Sequence, residues 1–341
     1  MSAIIDRIIS ISGDLLLSFP SLNECLLNYR KSSLRIVYYH MVSEKEHEYY
    51  FHNKKISPQL FKEQIQYLKK HFEIISLDEA VLLAKGNKSL EKKMVITFDD
   101  GFKENHSIIA PILVDEKVTA TFYLISNCIN NKSLMWRNKL LVLHNIMPNK
   151  GKGLTDQFKL KYRIPELRSN EDLLLWSDRV WEMNKKDEYS DYLWKLSGLP
   201  DLNEYLSTKL PYLTSNEIRE MVNSGFGFGS HSMTHPVFSK LNYDEFKAEI
   251  TDSIKVIKEI TQKDINSFTY PFGIRAEINY EKQLSKDMQN NEFKLISSKN
   301  DLNNTENGTI WKRDNLEFQM NTMLFRFSIL PIIRNLRQIK Q

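Results

Sequence analysis

The sequence predicts an α/β fold with a largely parallel sheet, and three observations carry that prediction. Short apolar runs rich in β-branched or aromatic residues recur along the chain. Segments of helical periodicity separate them, and several runs stop at a polar or turn-forming residue. Residues 34–39 (LRIVYY) read as a strand that stops at His40. Over 60–71, Leu60, Phe61, Ile65 and Leu68 share one helical face, and 72–76 follow as a short strand. Residues 94–98 (MVITF) form a strand running into Asp99-Asp100-Gly101, followed by a helix over 107–115 and a strand over 120–125. A helix over 215–224, capped by Thr214 or Ser215, leads to a strand at 226–229 and then His231. A long helix over 243–261 precedes the strand 267–270, closed by Pro271-Phe272-Gly273, and 293–297 read as the final strand. Residues 132–211 break this rhythm. They hold Trp136, Trp176, Trp181 and Trp194 and many charges but no clear strand, so they read as a helical insertion. The insertion either shapes a substrate groove or is held to the core by its tryptophans.

Composition narrows the function classes. A chain of 341 residues with 41% hydrophobic and 26% charged residues, and with 18 Phe, 15 Tyr and 5 Trp, can bury a substantial core. No repeat suggests a solenoid or propeller. Cys25 and Cys128 are far apart in apolar surroundings and read as two buried thiols, not a disulfide. The N-terminal apolar runs are interrupted by Asp6, Arg7 and Asp14 and have no basic leader or cleavage site, so a cytoplasmic location is expected. The formal charge is +4, and the chain from Lys312 onward, with six basic and two acidic residues, accounts for all of it. Basic residues do not cluster elsewhere, which argues against nucleic-acid binding.

Three local patterns bear chemistry. Thr97-Phe98-Asp99-Asp100-Gly101 places two carboxylates just past a strand, where α/β folds keep their active sites. One could ligate a metal and the other accept a proton; alternatively the pair is a polar Asp-Gly turn. His231 and His235, four apart in GSHSMTHP after another strand, can converge on one ion. Phe268-Thr269-Tyr270-Pro271-Phe272-Gly273 is an aromatic strand end that stops at an ordinary-looking turn.

Taken together and in this order, TFDDG, HSMTH and YPFG resemble the three motifs of the polysaccharide deacetylase family, the NodB-homology carbohydrate esterases. The resemblance covers roughly residues 34–313 and is nearest the YPFG-type branch similar to poly-N-acetylglucosamine deacetylases. It implies a distorted (β/α) barrel with a helical insertion, and hydrolysis of an N-acetyl (or O-acetyl) group on a saccharide. It further implies that Asp100, His231 and His235 hold one divalent metal, zinc by expectation and nickel, cobalt or iron as alternatives. Asp99 would be the base that deprotonates water. A backbone N–H near Tyr270 and Pro271 would help stabilise the oxyanion. Many relatives supply the acid from a late Leu-x-x-His, but no histidine follows His235 here. His40, in Tyr39-His40, resembles the acid of the YPFG-type relatives; otherwise it is a histidine bonded at a strand end. The arginine that usually opens the third motif is missing, and Arg313 is the expected substitute, with Arg275 a weaker candidate. His106 and His144 read as structural or surface residues.

The chain thus divides into an apolar helical segment (1–33), the deacetylase domain (34–315) with its insertion, and a basic amphipathic tail (316–341). The tail and the N-terminal stretch either dock the protein at the inner face of a membrane, near lipid-linked sugars, or pack on the barrel, with Pro331 kinking any helix. Two rivals accompany the saccharide deacetylase reading: an amidohydrolase for a small non-sugar amide, and a non-catalytic saccharide-binding relative.

Overall fold

Among the described residues, nine strands, all parallel, surround one interior. The computed structural model describes residues 2–29, 34–51, 55–146, 151–165, 168, 172–288, 293–297 and 310–330. The strands are β1 (Arg35–Tyr39), β2 (Glu73–Ile74), β3 (Lys93–Phe98), β4 (Thr121–Leu124), β5 (Gly227–Ser230), β6 (Ser267–Thr269), β7 (Lys294–Ser297), β8 (Ile310–Lys312) and β9 (Asp314–Asn315). They lie in the order β8-β7-β6-β5-β4-β3-β1-β9, and the two-residue β2 pairs with the start of β3. The two ends of this path are one run of chain, interrupted only at Arg313. Its first half pairs with β7 and its second with β1, which draws the sheet into a nearly closed barrel. Residues 293–297 are therefore not the last strand: the closing strand follows, too short and polar to be read from hydrophobic pattern.

Alternation along the strands decides what fills the barrel. Val37 and Tyr39 of β1 and Met94, Ile96 and Phe98 of β3 join the apolar layer under the helices. The alternate residues Ile36, Val95, Tyr123, Ile296 and Trp311 form a separate apolar cluster at the lower end of the barrel. Toward the carboxyl ends the same inward positions turn polar, through Tyr38, Thr97 and Arg313, and end at His40 and Asp99. Gly229 is required in this layer, because a Cβ there would sit 2.2 Å from the Tyr123 ring.

Between β4 and β5 run the helices Trp136–Ile146, Gly151–Tyr162, Leu173–Val180, Lys186–Ser197 and Leu202–Lys209, with no strand among the described residues there. Phe158 meets Trp176 and Tyr189 edge-on and stacks on Trp181, and all four rings are buried. Each such ring contributes about 1.5–3 kcal/mol by leaving water. The tryptophans hold the insertion together, and Trp136 ties it to the barrel by donating from Nε1 to the His235 carbonyl at 2.9 Å.

One expectation needs correction. Cys25 is exposed, whereas Cys128 is buried; Cys25 lies in a helix that covers the barrel with only one face. In the described part of the segment after residue 315, Leu316, Met323, Leu324, Phe325 and Phe327 are buried, as the packing alternative expects. Residues 331–341, with Pro331, Arg334, Arg337 and Lys340, lie outside the described residues.

Candidate metal centre and active site

The carboxyl ends of β1, β3, β5 and β6 bring the chemical groups together around a cavity of about 300 Å³. Asp99 continues the register of β3 by donating its N–H to the Tyr39 carbonyl at 2.9 Å. The next two residues then turn sharply, Asp100 at φ 69° and Gly101 at φ 71°. A leucine side chain would crowd any Cβ at position 101, 2.9 Å away, so glycine suits both the backbone and the space. The turn divides the adjacent carboxylates. Asp99 points into the barrel and Asp100 points over its rim.

Asp99 is held by Arg313, whose NH1 donates to Oδ1 at 2.7 Å while NH2 donates to Oδ2. Arg313 also reaches Thr97 Oγ1 at 3.2 Å and lies over the Tyr38 ring, 4.4 Å from its centroid. Burial alone would push the Asp99 carboxyl up. Arg313, with His231 and His40, outweighs that and holds it below the usual carboxylate range. Asp100 has no such partner, and burial pushes its carboxyl up to about 7.

Asp100 instead faces two imidazoles. Its Oδ1 is 3.5 Å from His231 Nε2 and 3.5 Å from His235 Nε2, and the two Nε2 atoms are 3.2 Å apart. His231 Nδ1 donates to the Thr269 carbonyl at 2.8 Å, with Thr269 Oγ1 2.7 Å away, which leaves Nε2 its lone pair. Burial lowers His231 to about 4 and His235 well below its ordinary value, so both are neutral, as ligation requires. Asp100 Oδ1 is buried and accepts no hydrogen bond from protein. Among the described residues, Asp100, His231 and His235 are the one group whose ligand atoms, all within 4.8 Å of one another, could hold a metal ion. An orphan carboxylate oxygen facing two unprotonated nitrogens fits a divalent cation.

The loop carrying the histidines is fixed from the helix Tyr243–Thr261. Glu249 Oε2 accepts from Met233 N–H and Thr234 N–H, each at 2.9 Å, and Thr234 Oγ1 donates to Oε1. Ser232 and His235 have positive φ, and Ser232 Oγ accepts from the His235 N–H at 2.9 Å. Lys186 of the insertion donates to Thr234 Oγ1 at 2.6 Å, so the insertion also touches this loop.

His40 lies across the cavity, its Nε2 3.9 Å from Asp99 Oδ2. Its Nδ1 donates to Glu317 Oε2 at 2.9 Å. Glu317 Oε1 also accepts from the His40 N–H at 2.6 Å and the Met41 N–H at 3.0 Å. Burial disfavours a charged His40, but Glu317 overrides it and raises the imidazole to about 9. The pair shifts in opposite senses: Glu317 stays below its ordinary value despite burial, because His40 faces it.

The third motif is arranged differently from expectation. The Tyr270 N–H donates to the Ile296 carbonyl at 3.0 Å, and Pro271 has no N–H, so neither backbone nitrogen is free to bind an oxyanion. The Tyr270 hydroxyl donates to Glu281 Oε1 at 2.8 Å. Arg275, the weaker candidate for the missing arginine, grips the same Glu281, through Nε at 2.8 Å and through NH2. Phe272, at φ 57°, sets its ring edge-on to His235 with centroids 4.6 Å apart. His106 pairs with Glu220 at 2.8 Å at the surface, and His144 is exposed. Sequence reasoning missed Glu317, Glu249, Tyr38 and the cavity-lining Arg137 and Asn138 of the insertion. Tyr38 was discoverable, since it shares a strand face with His40. Glu317 had a weaker signal, as one of only two acids in a basic tail; the other, Asp314, pairs with Arg326 at 3.2 Å.

Comparison with known proteins places this arrangement. The family model described as polysaccharide deacetylase matches residues 86–295. No curated protein matches the sequence. Among solved structures, the Streptococcus pyogenes deacetylase PplD shares 16% identity over 88% of this chain and 99% of its own, with a TM-score of 0.52. IcaB from Ammonifex degensii shares 15% identity over 86% and 97%, at 0.53. A de-N-acetylase from Aggregatibacter actinomycetemcomitans shares 17% identity over 86% and 99%, at 0.52. At these identities the likeness is one of fold.

Proposed function

Given that this chain belongs to the polysaccharide deacetylase family, and so to the carbohydrate deacetylases, we propose that it removes N-acetyl groups from a saccharide containing an amino sugar. The observation that carries this reading is the division of labour between adjacent carboxylates. Arg313 keeps Asp99 ionised and oriented, while Asp100 is free to serve, with His231 and His235, as a ligand. A divalent ion held there, zinc by expectation, would supply Lewis acidity to water and to the acetyl carbonyl.

The residues then act as follows. Asp99 takes a proton from the water that adds to the acetyl carbon. His40, charged and held by Glu317, gives its proton to the sugar nitrogen as the C–N bond breaks, and acetate and a free amine leave. Met135, Leu141 and Phe272 give the cavity an apolar side suited to the acetyl methyl, while Arg137 and Asn138 offer polar groups to the sugar. A de-N-acetylase among the proteins of the same fold agrees with an amide substrate.

The test is acetate release from N-acetylglucosamine oligomers, O-acetylated saccharides and small N-acetyl amides, after reconstitution with a divalent metal. Metal-dependent release from the oligomers supports the reading. Release from small amides alone sinks it, and no release despite metal binding would leave saccharide binding as the role.

A pH profile tests the acid. His40 must carry its proton, so the rate should fall as pH rises through about 9. Glu317→Gln removes what raises the imidazole, so its alkaline limb should move to lower pH and its maximal rate drop about tenfold or more. An unmoved limb would exclude His40 as the acid.

A further inference from the structure

We propose that Arg137, on the first helix of the insertion, makes this site selective for saccharides bearing an anionic group, a carboxylate or a phosphate, on the acetylated sugar or on the unit joined to it. The inference rests on the deacetylase reading of the cavity and names its substrate class. Among the described residues that line the cavity, Arg137 is the single lysine or arginine. Its guanidinium lies over the Phe272 ring, 4.7 Å from the centroid, and less closely over Trp136, at 5.7 Å. Phe272 in turn packs edge-on against His235. The guanidinium thus stands two ring contacts from a metal ligand, within reach of a sugar whose acetyl group is at the metal.

The other arginines near the site show what Arg137 lacks. Arg313 closes two nitrogens on Asp99, and Arg275 closes two on Glu281. The Arg137 side chain is only 17% exposed, yet its nearest acid is Asp178, with NH1 3.3 Å from Oδ1. That oxygen is buried and accepts no hydrogen bond. Asp178 also faces Lys240. Asp172, within electrostatic reach of Arg137, is committed to capping its own helix by accepting from the Leu175 N–H at 2.8 Å. These acids balance the charge of Arg137 but leave its fork of N–H donors unfilled. A largely buried guanidinium in that state favours a planar or tetrahedral acceptor that offers two charged oxygens together. Carboxylate and phosphate do so, and a sugar hydroxyl does not. Stacking on Phe272 also fixes the plane of the fork beforehand, so less freedom is lost on binding.

Calorimetric binding to the metal-loaded full chain tests this with two matched pairs of probes. One pair is the N-acetylglucosamine tetramer and a tetrasaccharide alternating N-acetylglucosamine with glucuronate. The other is N-acetylglucosamine and its 1-phosphate. The quantity read is the ratio of anionic to neutral affinity, which cancels losses common to both probes. In wild type at least one pair should show a ratio of about ten or more, and which pair does so tells carboxylate from phosphate. Arg137→Gln should lower that ratio about tenfold, and Arg137→Lys, which keeps the charge without the fork, should restore only part of it. Asp178→Asn removes the competing carboxylate and should raise the ratio a few-fold. It decides the matter alone if melting shows that Arg137→Gln is unfolded. The proposal is overturned if no anionic probe binds more tightly than its neutral partner. It is overturned equally if the ratio is unmoved in a folded Arg137→Gln, as when the metal itself holds the anion, or in Asp178→Asn. Acetate release is scored separately, so failure of the deacetylase reading would not be mistaken for failure of this one.

Discussion

Asp99→Asn is expected to lower acetate release about a thousandfold while leaving divalent-metal binding within a few-fold of wild type. Loss of a positioned general base typically costs about 10²–10⁴ in rate. Asparagine has the shape of aspartate and can still accept one of the two Arg313 hydrogen bonds, but it cannot take a proton. None of the three groups assigned to the metal is altered. The substitution does leave a buried guanidinium without its counter-charge, which can cost up to about 3–5 kcal/mol. Melting must therefore be followed alongside rate and metal titration. A folded, metal-loaded variant with near-normal rate would show that the base lies elsewhere.

His235→Ala should fail in the opposite order. Removing one of three protein ligands should take metal content from about one ion per chain toward zero, and activity with it. Folding should suffer less, because His235 is neutral and its Nδ1 has no hydrogen-bond partner within the protein. Metal analysis after gel filtration, with melting as the control, separates the two variants: Asp99→Asn holds the ion and is inactive, His235→Ala lacks it. Full metal occupancy in His235→Ala would refute the Asp100–His231–His235 assignment.

Much of this site could be read before any coordinates, for a physical reason. Asp99, Asp100 and His231 follow strands whose apolar runs are long or distinctive enough to recognise, so their placement at one end of the barrel came from local pattern. The two His Nε2 atoms needed no more than their four-residue spacing and a strand end. What stayed hidden depended on distant partners. That Arg313, 214 positions away, ties down Asp99 was legible only through the family resemblance, and that His40 gains its proton affinity from Glu317, 277 positions away, was not legible at all. A turn motif also does not reveal that β7 claims the Tyr270 N–H. The closing strand was missed because three- and two-residue strands leave no periodicity.

That closing strand has a consequence for how the protein is made. Asp99 and His40 are made before Arg313 and Glu317, which set their charge states, by 214 and 277 positions. Until then β1 and β7 present open edges, and Asp99 lacks its main counter-charge. Sealing the barrel and setting the charge states of Asp99 and His40 are thus a single event. A chain cut short before residue 310 would lack Arg313 and Glu317 and its protection from edge-to-edge association together.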